Sequence, residues 1–151
     1  MEETVLIYLE RDNKYLMLLR NKKKNDLNQG KYIGIGGHVE LGETKEEALI
    51  REVKEETCLD VLSYKYRAKL LFINDTYSEI IHLYTSSDFV GELTNKCNEG
   101  DLFWIEKEDV LNLPLWEGDR SFLEVMEHTN NYFEMVLTYH NDKLVSIKRT
   151  A

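Results

Sequence analysis

Five of the eight glycines in this chain fall between Gly30 and Gly42, directly ahead of a run dense in glutamate. Backbone so rich in glycine bends sharply or passes close to another group. The stretch from Gly36 to Leu59, GGHVELGETKEEALIREVKEETCL, then carries Glu40, Glu43, Glu46, Glu47, Glu52, Glu55 and Glu56 and no aspartate. Thr44 and Glu47 have the spacing of a capping box, and Leu49, Ile50, Val53 and Thr57 supply an apolar side, so a helix is predicted to start here. At about 100° per residue, Glu52, Glu55 and Glu56 share an arc roughly 100° wide that borders the apolar stripe. Arg51 lies four residues before Glu55 and four after Glu47, within reach of ion pairs. Glu52 and Glu56 are like charges at i,i+4, which costs a few tenths of a kcal/mol. A Glu-rich helix is ordinarily a solvated acidic face. Here carboxylates stand beside a glycine-rich turn that can offer carbonyls, with no Cys or His among the helical residues. That is a hard-oxygen set suited to Mg²⁺ or Mn²⁺.

The remaining sequence predicts one domain, residues 1–151, of an ordinary cytoplasmic globular protein. The length suffices to bury a core without staples. Two cysteines, Cys58 and Cys97, make neither a disulfide framework nor a metal knuckle, which points to a reducing compartment. The N-terminus MEETVLIYLERD is not a signal peptide, and no apolar run approaches the roughly 18–20 residues that span a bilayer. A net charge of -9 argues against long nucleic acid as a partner but leaves room for a small anion bridged by metal.

TVLIYLE and KYLMLLR, separated by RDN, predict a β-hairpin, and NKKKNDLNQGK a basic loop. Residues 62–90 predict two strands around a turn at NDTYSE. LFWIEKEDV predicts a strand entering a short helix, LWEGDRSFLEVMEHT a helix, and the C-terminal segment a hairpin about His140–Asn141–Asp142–Lys143. Strands and helices mix without regular alternation, an α+β pattern with helices on a mixed sheet.

From Gly37 to Leu59 the chain resembles the Nudix hydrolases. Their box, G-x5-E-x7-R-E-U-x-E-E-x-G-U, is matched at Gly37, Glu43, Arg51-Glu52-Val53, Glu55-Glu56 and Leu59, with Cys58 where the pattern has glycine. The resemblance implies an α/β/α sandwich, a divalent metal and hydrolysis of a nucleoside diphosphate linked to a further group. It makes Glu52, Glu55 and Glu56 metal-binding and catalytic, with the Gly36 carbonyl as a further ligand. Arg51 orients a catalytic glutamate, and Glu43 holds the loop–helix geometry through it. Cys58 sits where a helix terminator adopts left-handed geometry, at a cost of about 1 kcal/mol for a residue other than glycine.

GKYIGIGGHVELGET is similar to the segment entering the box of MutT-type 8-oxo-dGTP diphosphatases, and NEGDLFWI to a segment whose late glutamate joins the metal site, here Glu99. LPLWEGDRSF resembles the lining of the base pocket and places Trp116 and Asp119 there. Either could instead be structural: Trp116 as core, Asp119 as an exposed carboxylate favoured by a helix N-terminus. Tyr32 and Phe72 are weaker pocket candidates. Arg20, with Lys22, Lys23, Lys24 and Lys31, would supply positive potential for phosphates, unless these simply form a solvated loop. Ile33 stands where some relatives read a purine with asparagine, and it cannot supply that contact. His38 stands where many relatives carry lysine. The reading is a nucleoside triphosphate cleaved to monophosphate and pyrophosphate. The alternatives are ADP-ribose, a nucleotide sugar or a dinucleoside polyphosphate as substrate, or a sensor that binds nucleotide without turnover.

Overall fold

Two left-handed residues, Asp12 (φ 53°) and Asn13 (φ 61°), fold β1 (Glu2–Arg11) back onto β2 (Lys14–Arg20). This is the turn handedness that matches strand twist. The computed structural model describes residues 1–22, 26–94 and 100–151. β2 is flanked by the two-residue β3 (Tyr32–Ile33) and by β7 (Gly100–Glu106), both antiparallel.

The other half of β1 lies one strand in from the edge of the larger sheet. Thr4–Ile7 pair with β4 (Ile35–His38) on one edge and, in parallel, with β6 (Tyr77–Val90) on the other. Beyond β6 come β5 (Asp60–Asn74), β8 (Phe133–His140) and the edge strand β9 (Lys143–Arg149). A strand covered on both faces reads as a continuous apolar run, as VLIYL does. Val5, Ile7 and Leu9 join the cluster beneath α1 (Lys45–Thr57). Leu6 and Tyr8 face the opposite cluster, packed by the short α2 (Lys107–Val110) and by α3 (Glu117–His128). The architecture is a mixed sheet between helices, the expected α/β/α sandwich, and among the described residues no helix is long and apolar enough to cross a membrane.

The predicted capping box forms in α1: Glu47 N–H donates to Thr44 Oγ1 at 3.1 Å and Thr44 N–H to Glu47 Oε1 at 2.9 Å. Two expectations need correction. Ile50 is 43% exposed, and Ala48 joins Leu49, Val53 and Thr57 in the buried stripe. Ile50 lies about 100° from Leu49 around the helix, so both cannot point at the sheet centre. The turn in NDTYSE is also shorter than read, because Asn74 already pairs with Tyr77 and only Asp75 and Thr76 connect the strands.

Cys58 ends α1 at φ 66°, ψ 9°, with its N–H donating to Lys54 O. Replacement by glycine removes the left-handed strain of about 1 kcal/mol. Cys58→Gly is therefore expected to raise the melting temperature by about 2–4 °C, read by calorimetry.

Candidate active site

The site is organised by one guanidinium. Arg51 Nε donates to Glu43 Oε2 at 2.7 Å and Nη2 to Glu43 Oε1 at 3.0 Å, a bidentate clamp between the loop after β4 and α1. Nη2 also donates to the His38 carbonyl at 3.1 Å. Nη1 donates to Glu52 Oε1 at 2.8 Å and Glu55 Oε2 at 3.3 Å, and Glu40 approaches to 3.8 Å. The Arg51 guanidinium, with help from the Glu40 backbone N–H, holds the Glu43 carboxyl down to about 2.

Two glycines stand opposite these carboxylates, Gly36 against backbone and Gly37 against the Glu52 carboxylate itself. A Cβ on Gly37 would lie 2.5 Å from Glu52 Cδ and Oε1, and one on Gly36 would lie 1.9 Å from the Val5 carbonyl oxygen. β4 can thus press between β1 and α1 and deliver its backbone to the glutamates. Gly36 N–H donates to Glu56 Oε2 at 3.2 Å. The structure therefore joins Gly36, Gly37, Glu43, Arg51, Glu52, Glu55 and Glu56 in one constellation. Glu99, Lys23 and Lys24 lie outside the described residues.

Among the described residues no three carboxylate, imidazole or thiol groups close into a ready-made metal cage. The residues nonetheless fit a hard divalent cation. One guanidinium faces four carboxylates, leaving an excess of negative charge, and the Gly37 cradle leaves the Glu52 carboxylate room that any side chain would fill. Mg²⁺ is commonly held by one or two carboxylates, waters and substrate phosphates rather than by a full protein cage.

The predicted substrate-binding residues occupy a second region, at the N-terminal end of α3. Trp116 is only 9% exposed; its Nε1 donates to Asn28 Oδ1 at 2.5 Å, and Lys31 Nζ lies 4.8 Å from the ring centroid. Phe72 and Tyr139 meet its ring edge-on, at 6.3 and 5.4 Å. Tyr32 packs against the same core, and its N–H donates to Pro114 O. Asp119 is not the exposed helix-end carboxylate of the alternative reading. It retains a partly accessible edge, but burial lifts its carboxyl to about 7. Arg20 stands apart, paired with Asp26 at 2.7 Å where it anchors the β2–β3 loop. Lys22 pairs with Asp101 at 3.0 Å. His38 contributes its backbone to Arg51, while its side chain stands exposed beside Glu2.

Sequence reasoning missed Tyr8 and Asn28. The Tyr8 hydroxyl is fully buried beside the Gly34 backbone, and desolvation, then the Asp119 charge, push its pKa well up. Within an apolar strand it reads as core, and Asn28 reads as loop; only their neighbours reveal them.

Glu43→Gln is expected to keep the fold at neutral pH while loosening Arg51, with turnover falling on the order of 100-fold. Because the folded-state pKa of Glu43 lies below its ordinary 4.5, its stabilisation is present above about pH 4.5 and is lost as pH falls toward 2. The melting-temperature gap between wild type and variant should close over that window.

A family model described as the NUDIX domain matches residues 2–126. The CTP pyrophosphohydrolase of Escherichia coli (strain K12) is 32% identical over 126 residues, covering 82% of this chain and 90% of the relative. The oxidized purine nucleoside triphosphate hydrolase of Danio rerio is 27% identical over 133 residues, covering 87% and 85%. The crystal structure of a mutator MutT protein from Bacillus halodurans superposes with a TM-score of 0.90 at 22% identity, covering 99% of this chain and 98% of that one. With the box residues assembled around Arg51 and the fold shared end to end, this chain is an enzyme that belongs to the Nudix hydrolases.

Proposed function

We propose that the chain hydrolyses a nucleoside triphosphate to the monophosphate and pyrophosphate, with the base held against Trp116, Phe72 and Asp119. The observation that carries this reading is the Asp119 carboxyl. Burial lifts it to about 7, and no hydrogen bond to it is seen among the described residues. A desolvated carboxyl within electrostatic reach of Tyr8 and Tyr139 suits the polar edge of a nucleobase. Relatives that align along most of the chain, and whose names specify triphosphate or CTP hydrolysis, support the same class.

Glu52, Glu55 and Glu56, with the Gly36 carbonyl and Glu99, would hold the divalent ion, for which we propose Mg²⁺ or Mn²⁺. Such an ion, when bound, neutralises phosphate oxygens and lowers the pKa of water. Arg51 fixes Glu52 and Glu55, so these carboxylates need little reorganisation when substrate arrives. A glutamate of the same set takes the proton from the attacking water, and Glu56 is our choice. Lys31, beside Trp116, supplies positive charge near the base pocket.

The direct test is incubation with Mg²⁺ and a panel of 8-oxo-dGTP, ordinary nucleoside triphosphates including CTP, and ADP-ribose, with products separated by chromatography. Release of pyrophosphate from a triphosphate, reduced at least about 100-fold in Glu56→Gln, is the expected result. Turnover confined to ADP-ribose would reject the triphosphate reading, and ligand binding without turnover would support the sensor. Ile33 leaves Asp119 as the polar reader of the base, so Asp119→Asn should alter relative kcat/KM among bases more than kcat.

Asp119 also predicts a stability signature. Its folded-state pKa is raised from 3.8 to about 7, so between these values the folded chain holds a proton that the unfolded chain has lost. Stability therefore falls as pH rises through that window. Asp119→Asn should melt higher than wild type at pH 8, and the difference should vanish near pH 4.

A further inference from the structure

On the face of the sheet opposite α1, a crevice of about 630 Å³ opens beside the C-terminal end of α3. A β-bulge shapes it. Tyr66 pairs with Tyr84 and Ala68 with Leu83, so Arg67 is an extra residue without a partner on β6. Bulges re-aim side chains, and this one puts Arg67 at the crevice floor, with Tyr15 and Thr85 as buried neighbours.

Arg67 is 5% exposed. Its Nη2 donates to the Thr129 carbonyl at 2.5 Å and the Met126 carbonyl at 3.3 Å, a cationic cap on the last turn of α3. That accounts for one edge of the guanidinium. Its Nε–H, sealed from solvent, meets no acceptor among the described residues. An atom sealed in this way is out of reach of a ligand in the crevice, but among the described residues no carboxylate pairs with the guanidinium, so a buried positive charge lines the crevice without a counter-ion. At the rim, Lys65 Nζ donates to Asn130 O at 2.5 Å, and Lys107 Nζ donates to Glu10 Oε1 at 2.6 Å. The remaining acids, Glu108 and Glu127, are exposed. Water screens the rim carboxylates far more than it screens the buried guanidinium, so the floor of the crevice is the positive end.

We propose that this crevice binds a small oxyanion of the phosphate class, with Arg67 beneath it and Lys65 at its edge. The site is separate from the glutamate constellation and does not depend on metal. Its phosphate could be free or carried on a nucleotide, and the two share the same recognition.

The test uses the full chain in EDTA, so that no metal bridges an anion to the glutamates. Amide NMR spectra are followed during titration with orthophosphate and, separately, with a nucleoside monophosphate. Saturable shifts at Arg67, Thr85 and Asn130, weakened at least about tenfold in Lys65→Met, are expected. Equal affinity for both probes assigns the site to the free anion; preference for the nucleotide assigns it to the ester. Lys65 is exposed, so its variant should fold; Arg67→Lys, which can reproduce the cap but not the planar fork, is the second variant and should also weaken binding. Shifts that do not saturate, that fall on α1 instead, or that persist unchanged in Lys65→Met would overturn the proposal.

Discussion

The ion-pair hub at Arg51 is the interaction on which the candidate active site rests. Isolated surface pairs contribute little, because water screens the charges and long side chains lose entropy. Arg51 differs in being partly buried, in meeting Glu43 through both prongs of its fork, and in also meeting Glu52 and Glu55. Preorganised planar geometry makes such pairs stronger than point-charge contacts, and lysine could not replace it. Without this cation, Glu40, Glu43, Glu52 and Glu55 would repel one another across a short loop and one helical turn. With it they are fixed, yet negative charge remains in excess, which is the condition for taking up a divalent ion.

The sheet supplies the second constraint. β1 pairs with β4 on one side and β6 on the other over the same four residues, Thr4–Ile7. The Gly36–Gly37 backbone is thereby held against α1, where neither position has space for a Cβ. Gly36 and Gly37 are accordingly set by steric contact with Val5 and Glu52, whereas Gly30 (φ 80°) and Gly42 (φ 81°) take left-handed angles in open space. Packing positions the backbone, and the backbone positions the carboxylates.

α3 joins two polar environments through an apolar body. Its N-terminal end carries Asp119 within electrostatic reach of Tyr8 and Tyr139, and its C-terminal carbonyls are capped by Arg67. Phe122, Leu123 and Met126 seat the helix on the core between them. Retaining a desolvated carboxyl at one end and an unmet guanidinium N–H at the other costs stability, a pattern associated with functional rather than structural residues.

Much of this molecule was legible in its sequence. The glycine-rich turn, the capping box, the i,i+4 carboxylates and the left-handed terminator at Cys58 are local features, set by dihedral preference and helical periodicity, and all appear where the sequence placed them. The sandwich class followed from strand and helix patterning together with the box. What the sequence could not supply were contacts between distant segments. It gave no sign that Ala48 rather than Ile50 would face the core, that Trp116 would be tied to Asn28, or that a bulge would turn Arg67 under α3. Nor could it show Asp119 to be desolvated, because a carboxylate in the first turn of a helix has the same sequence context in water as in a buried setting. Local geometry is encoded residue by residue; burial, register and electrostatic environment arise only when segments far apart in the chain pack against one another.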